Sequence, residues 1–161
     1  MIVASKMDYL EHLIDKYSDM VYRLAMSRTR NIHTSQDVYQ EVFLRLSRKI
    51  PEFENEEHEK AWIIKVTINC SKNMLVDDFI KNTTILKEDI TFETEERNEI
   101  YFEVIKLPKK YRTIIHLFYY EGYKVEEISK ILDMNINTVK SHLFRARDML
   151  KNKVEGGLLD E

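Results

Sequence analysis

Apolar side chains recur every three or four positions from residue 7 to residue 30, placing Leu10, Leu13, Ile14, Tyr17, Val21, Leu24 and Ala25 along one side of a predicted helix. The pattern breaks at Asn31 to His33. Thr34, with Asp37 three residues on, reads as a capping box that opens a second helix. That helix runs to about Lys49, with Val38, Val42, Phe43 and Leu46 on its apolar face. Pro51 stops it, because the residue before a proline disfavours helical geometry. An acidic stretch occupies residues 52–59, and a third helix is expected from near His58 to about Phe79, with Trp62 in the core. Three such helices can enclose one small core.

From Ile80 to Glu96 the periodicity lapses into Thr, Asn, Lys and acidic residues, which reads as a flexible linker. Structure resumes near Arg97. Pro108 suits the first turn of a helix that continues through Tyr111, Ile114, Ile115 and Phe118, and Gly122 ends it. Two short helices follow, Val125 to Leu132 and Asn137 to Lys151, separated by a turn at residues 133–136. Such a pair is a helix-turn-helix. Asn135 is placed to cap the second helix. Val139, Leu143, Ala146 and Leu150, spaced by four, three and four, form the buried stripe of that helix. The stripe leaves Ser141, Arg145 and Asp148 facing away, with Lys140, Phe144, Arg147 and Lys151 on one flank; Phe144 is expected to pack. The predicted fold is all-α. Two small helical domains, residues 1–80 and 97–161, are joined by a linker over residues 81–96.

Composition agrees. With three Gly and two Pro in 161 residues, the chain lacks the turn formers that an all-β fold needs. Charged residues make up 33% and hydrophobic ones 43%, a balance that folds rather than staying disordered. The lone Cys70 excludes an internal disulfide, and its neighbours Ile68 and Met74 place it on a buried face. No stretch reaches the apolar length of a membrane span, and Lys6 and Asp8 fall where a signal peptide needs its apolar core. A cytoplasmic protein without membrane insertion is expected.

The net charge of −3 does not mark a free-standing nucleic-acid binder, but its distribution is uneven. Thr138 to Lys153 holds Lys140, Arg145, Arg147, Lys151 and Lys153 against Asp148 alone. A helix with a basic outer half and polar residues in its first turns fits the major groove, where Arg and Lys bind phosphates or guanine edges and Ser contacts either.

At these residues the sequence resembles the sigma-70 family of RNA polymerase specificity subunits, in its short extracytoplasmic-function (ECF) form. The resemblance rests on the run Leu107-Pro108-Lys109-Lys110-Tyr111-Arg112, then Glu126 to Leu132, then Asn137-Thr138-Val139-Lys140-Ser141-His142-Leu143-Phe144-Arg145-Ala146-Arg147. A separate upstream match covers Tyr17 to Ala25, Ser35 to Arg45 and Ala61 to Asn69. The two modules stand in the family's order with a connecting segment of suitable length.

The resemblance implies a protein that is not an enzyme and carries no cofactor. Its implied partners are core RNA polymerase and promoter DNA, with an anti-sigma factor as a further one. It implies that Asp37, Gln40, Glu41 and Arg45 bind the polymerase clamp. It implies that Asn69, Lys72 and Asn73 touch the melted promoter strand. The loop Phe53 to His58 would pocket a flipped base, Phe53 or His58 stacking and Asn55 reading an edge. It implies that Lys140, Ser141, His142, Arg145 and Arg147 contact the upstream duplex element. Three features depart from the family pattern: Asp133 stands where Gly is usual, Asp77 and Asp78 close the melting helix, and the loop is strongly acidic.

Two other readings compete. A stand-alone helix-turn-helix regulator explains the C-terminal half and leaves Asp37 to Asn73 without a role. A metal enzyme built on Glu56, Glu57, His58 and Glu59 lacks the spacing that puts two ligands on one helix face.

Overall fold

The computed structural model describes residues 2–78, Phe92 and residues 94–154. Among the described residues every regular element is helical, and the chain divides into two compact units, residues 1–83 and 84–161.

In the first unit α1 (Ile2–Thr29), α2 (Ile32–Arg48) and α3 (Glu56–Asp78) pack against one another. The α1 helix starts five residues before its periodic stripe does. It ends because Arg30 takes a left-handed conformation (φ 54°), its N–H still bonded to the Met26 carbonyl at 2.9 Å. The cap of α2 is Asn31, whose Oδ1 accepts from the Thr34 N–H at 2.9 Å. Thr34, expected as the cap, sits inside the helix and is buried. Either residue type can cap, and the left-handed bend at Arg30 brings Asn31 into place first. The core comprises Leu13, Tyr17, Val21 and Leu24 from α1, Val38, Val42 and Leu46 from α2, and Ile63, Ile64 and Ile68 from α3. Each such side chain contributes roughly 1.5–3 kcal/mol by leaving water. Polar ties join α1 to α3 at two levels. Near its C-terminal end, Arg28 Nε donates to Ser71 Oγ at 3.0 Å, and burial lowers the Arg28 pKa to about 10. Cys70 is fully buried, and burial pushes its thiol up, as befits a small core hydrophobe.

The second unit contains α4 (Glu95–Ile105), α5 (Lys109–Ile115), a π-helical turn (His116–Tyr120), α6 (Val125–Leu132) and α7 (Ile136–Val154). Thr94 caps α4 by accepting from the Arg97 N–H, so helix begins inside the stretch expected to be linker. Phe92 packs on Tyr101 and Tyr120, with ring centres 5.0 and 5.2 Å away, and donates its N–H to Asn98 Oδ1. The remainder of the expected linker, residues 81–91 and 93, lies outside the described residues.

His116 is fully buried, its Nδ1 2.8 Å from the Tyr101 hydroxyl and its Nε2 3.1 Å from Glu121. The π turn closes with the Glu121 N–H on the His116 carbonyl, and Gly122 at φ +75° then reverses the chain. The helix-turn-helix is as expected. Asp133 takes the left-handed position at φ 52°, the Met134 N–H returns to the Ser129 carbonyl, and Asn135 Oδ1 accepts from the Asn137 N–H. Of the apolar residues of α6, Ile128 alone is fully buried, while Val125, Ile131 and Leu132 are half-buried. Along α7, all four residues of the expected stripe, Val139, Leu143, Ala146 and Leu150, are buried.

Candidate nucleic-acid interface

The face of α7 opposite its buried stripe carries Lys140, Ser141 and Arg145, all exposed. Phe144 lies among them at 70% exposure rather than packing as expected. It stands one turn beyond Lys140 on the outer flank of α7, away from the buried stripe. The other two residues assigned to this surface are engaged within the fold. The His142 ring meets Tyr111 edge-on at 5.4 Å, and its buried Nδ1 has no hydrogen-bond partner. Burial lowers the His142 pKa, and the positive charges of Lys110 and Arg145 lower it further. Arg147 donates from Nε to the Tyr119 hydroxyl at 2.6 Å, and its guanidinium lies 5.3 Å above Phe118. The family motif Arg-Ala-Arg therefore splits here: Arg145 faces solvent, and Arg147 fastens α7 to the π turn.

In the first unit the loop before α3 is shaped by its own side chains. Asn55 Oδ1 accepts from the His58 N–H at 2.8 Å, which makes Asn55 the N-cap of α3. His58 Nδ1 accepts from the Glu54 N–H at 3.2 Å, leaving Nε2 as the ring's outward donor. Phe53 stands edge-on to both His58 (5.5 Å) and Trp62 (5.8 Å). Trp62, expected in the core, is half-buried at this aromatic corner, where it braces the loop. Asn69, Lys72 and Asn73 are exposed along one strip of α3, with Lys65 a turn earlier.

On α2, Asp37 and Gln40 are exposed, while Glu41 and Arg45 form an ion pair of 3.0 Å one turn apart. Leu44, 49% exposed between them, is an apolar side chain on this face that sequence patterning did not single out. Gln40 also lines a cleft of about 400 Å³ between α1 and α2, together with Ser18, Asp19, Tyr22, Gln36 and Tyr39.

The acidic run at the start of α3 has a specific use. Tyr9 donates to one oxygen of Glu59; Tyr17 (2.7 Å) and Lys16 (3.3 Å) donate to the other, and Lys16 also pairs with Glu56. Burial opposes ionisation of Glu59, but these donors outweigh it and hold the carboxyl below its ordinary value. Burial and the Glu59 carboxylate push both phenols up to about 12. Among the described residues no group of three or more His, Cys, Asp or Glu side chains is placed to hold a metal ion. Among the described residues no helix is long and apolar enough to cross a membrane.

The first unit is thus a three-helix bundle with a braced loop, and the second carries a helix-turn-helix with a basic outer face. The profiles of sigma-70 region 2 and sigma-70 region 4 match residues 13–78 and 97–150. The chain is 32% identical over 163 residues to the ECF RNA polymerase sigma-E factor of Haemophilus influenzae, covering 89% of this chain and 86% of that one. It is 27% identical to the ECF RNA polymerase sigma factor SigW of Bacillus subtilis, covering 91% and 89%. Its fold is similar to that of the sigma factor RpoE, solved with the anti-sigma factor NepR from Bartonella quintana (TM-score 0.72, 18% identity, 96% of this chain and 99% of that one). It is also similar to CnrH, solved with the cytosolic domain of CnrY (TM-score 0.64, 18% identity, 91% and 88%). The chain belongs to the ECF group of sigma-70 RNA polymerase sigma factors, which direct promoter recognition at the start of transcription.

Proposed function

We propose the following division of labour on the polymerase. Asp37, Gln40, Glu41 and Arg45, with Leu44 between them, dock α2 on the clamp of the core enzyme. An amphipathic helix with a charged rim suits such a contact. Lys140, Ser141 and Arg145 read the upstream duplex element through the major groove, while His142 and Arg147 keep α7 at its angle and Arg147 offers its remaining guanidinium N–H groups to phosphates. Asn69, Lys72 and Asn73 follow the melted strand. The corner of Phe53, Asn55 and His58 receives one extruded base, replacing the stacking that extrusion removes, about a few kcal/mol.

The chain makes and breaks no covalent bond in this scheme; nucleotide joining belongs to the core enzyme. With a net charge of −3, the free subunit neutralises few phosphates, so tight DNA binding waits for the polymerase. The site of action is the cytoplasm. By analogy with RpoE, solved with the anti-sigma factor NepR, an anti-sigma factor holds the chain inactive until a signal releases it.

The observation that carries this reading is the split face of α7, with its apolar stripe fully buried and Lys140, Ser141 and Arg145 exposed. Run-off transcription with purified core enzyme on a promoter library tests it. Initiation from a restricted set of promoters, dependent on this chain, is the expected result. A core enzyme that gains no promoter preference from the chain sinks the proposal.

A further inference from the structure

The start of α3 is held by charge and hydroxyl groups rather than by apolar packing alone. Glu59 is 7% exposed, and each of its oxygens has its own donor on α1. Tyr9 and Tyr17 are eight positions apart, a little over two turns, so they reach the carboxylate from two levels of one face of α1. A carboxylate gripped at both oxygens cannot rotate or slide without breaking a bond. Lys16 adds a second grip by pairing with both Glu56 and Glu59.

The same turn of helix builds the loop. The Glu59 N–H bonds to the Asn55 carbonyl, the Asn55 side chain caps at His58, and His58 in turn holds the Glu54 N–H and faces the Phe53 ring. An unbroken path therefore runs from two tyrosines on α1, through Glu59, to the side chains of the aromatic corner. Ordinary helix packing requires no such arrangement, because Ile63, Ile64 and Ile68 already bury α3.

We propose that Tyr9, Tyr17 and Lys16, acting through Glu59, are positioning residues that set the loop 53–58 in its base-receiving shape, and so determine selectivity for the captured base without touching DNA. This inference rests on the reading of that loop as the pocket for the extruded base. It assigns to α1 a part in promoter melting distinct from polymerase docking.

The test uses holoenzyme assembled with the full chain. The probe is a fluorescent single-stranded oligonucleotide of the melted element, with a series in which each base is changed in turn. In Tyr9→Phe/Tyr17→Phe the rings stay and the donors go. This variant is expected to retain core binding and duplex contact by the second unit, while its preference at the captured base falls about fivefold, part of what two lost hydrogen bonds carry. Glu59→Gln exchanges one acceptor for a donor and leaves one tyrosine hydroxyl without an acceptor for its proton. Adding Tyr9→Phe to Glu59→Gln is expected to restore part of the preference, a coupling that general destabilisation does not produce. The loop variants Phe53→Ala and Asn55→Ala provide the reference. Unaltered base preference in the tyrosine variant, beside a loss in the loop variants, overturns the positioning role and leaves the pocket standing. Unaltered preference in the loop variants themselves overturns both.

Discussion

The two units present their working side chains in opposite ways. On α7 the residues assigned to DNA, Lys140, Ser141 and Arg145, stand exposed on a helix whose other side is a fully buried stripe. In the loop before α3 the assigned residues are tied to one another: Asn55 caps, His58 accepts from Glu54, and Phe53 leans on His58 and Trp62. On the proposed assignment the difference suits the two targets. A duplex brings its own shape, so a rigid helix with extended side chains suffices to read it. A melted strand has little shape, so the protein must supply the pocket in advance.

The strongest way to break this comparison is to remove one unit's core. Ile128→Ala empties a fully buried site in the second unit and is expected to cost about 2–5 kcal/mol. Thermal unfolding followed by near-ultraviolet dichroism is expected to show an early transition for the second unit and an unchanged one for the first. A single transition moving as a whole contradicts two independent units.

Next comes Arg145→Ala, expected to cost about 1–3 kcal/mol at one base pair of the upstream element where the arginine pairs with guanine. Arg147→Ala, by contrast, is expected to lower the stability of the unit with its base preferences intact. Footprinting of both holoenzymes on altered promoters reads the distinction, and equal effects on preference erase it.

Acid sharpens the contrast further. The Glu59 carboxyl is held below its ordinary value, so the folded first unit keeps it ionised where the unfolded chain takes up a proton. Its contribution is complete above the ordinary carboxylate range and is lost as pH falls through the depressed value. Denaturant titrations at falling pH are expected to show that this loss disappears in Glu59→Gln; an identical acid slope in the variant rules the carboxylate out as its source.

Smaller still is Asn31→Ala, which removes the cap of α2 and is expected to cost about 1 kcal/mol by the shift in urea midpoint. Asp133→Gly is the smallest and has the opposite sign. A left-handed aspartate relaxed to glycine is expected to gain about 1 kcal/mol or less, and a loss there means that the Asp133 side chain matters beyond its backbone.

Much of the fold was legible because a long amphipathic helix repeats its period whatever it packs against. The α7 stripe was read residue by residue for this reason. So was the cap of the turn, where Asn135 carries a side chain suited to bond a free backbone N–H. Phe144 and Trp62 were misplaced because hydrophobicity says that a ring avoids water, while position on the helix decides whether anything is there to cover it. The polar ties escaped the sequence for another reason. Tyr9 and Tyr17 lie 50 and 42 residues from Glu59, and Tyr119 lies 28 from Arg147. A tyrosine within or beside an apolar face leaves the period unchanged, so neither helix announces its partner. The burial of Glu59 escaped notice because one buried carboxylate among exposed ones leaves no mark on composition.

The π turn at His116 to Tyr120 has a consequence for chain length. Deleting one residue there restores regular helical bonding, but it turns everything downstream by about 100° and draws it back by about 1.5 Å. Glu121 then leaves His116, and Arg147 no longer faces Tyr119. A change in count between Leu107 and Lys124 therefore shifts the register of everything after it, and the surplus residue serves as a fixed spacer ahead of α6 and α7.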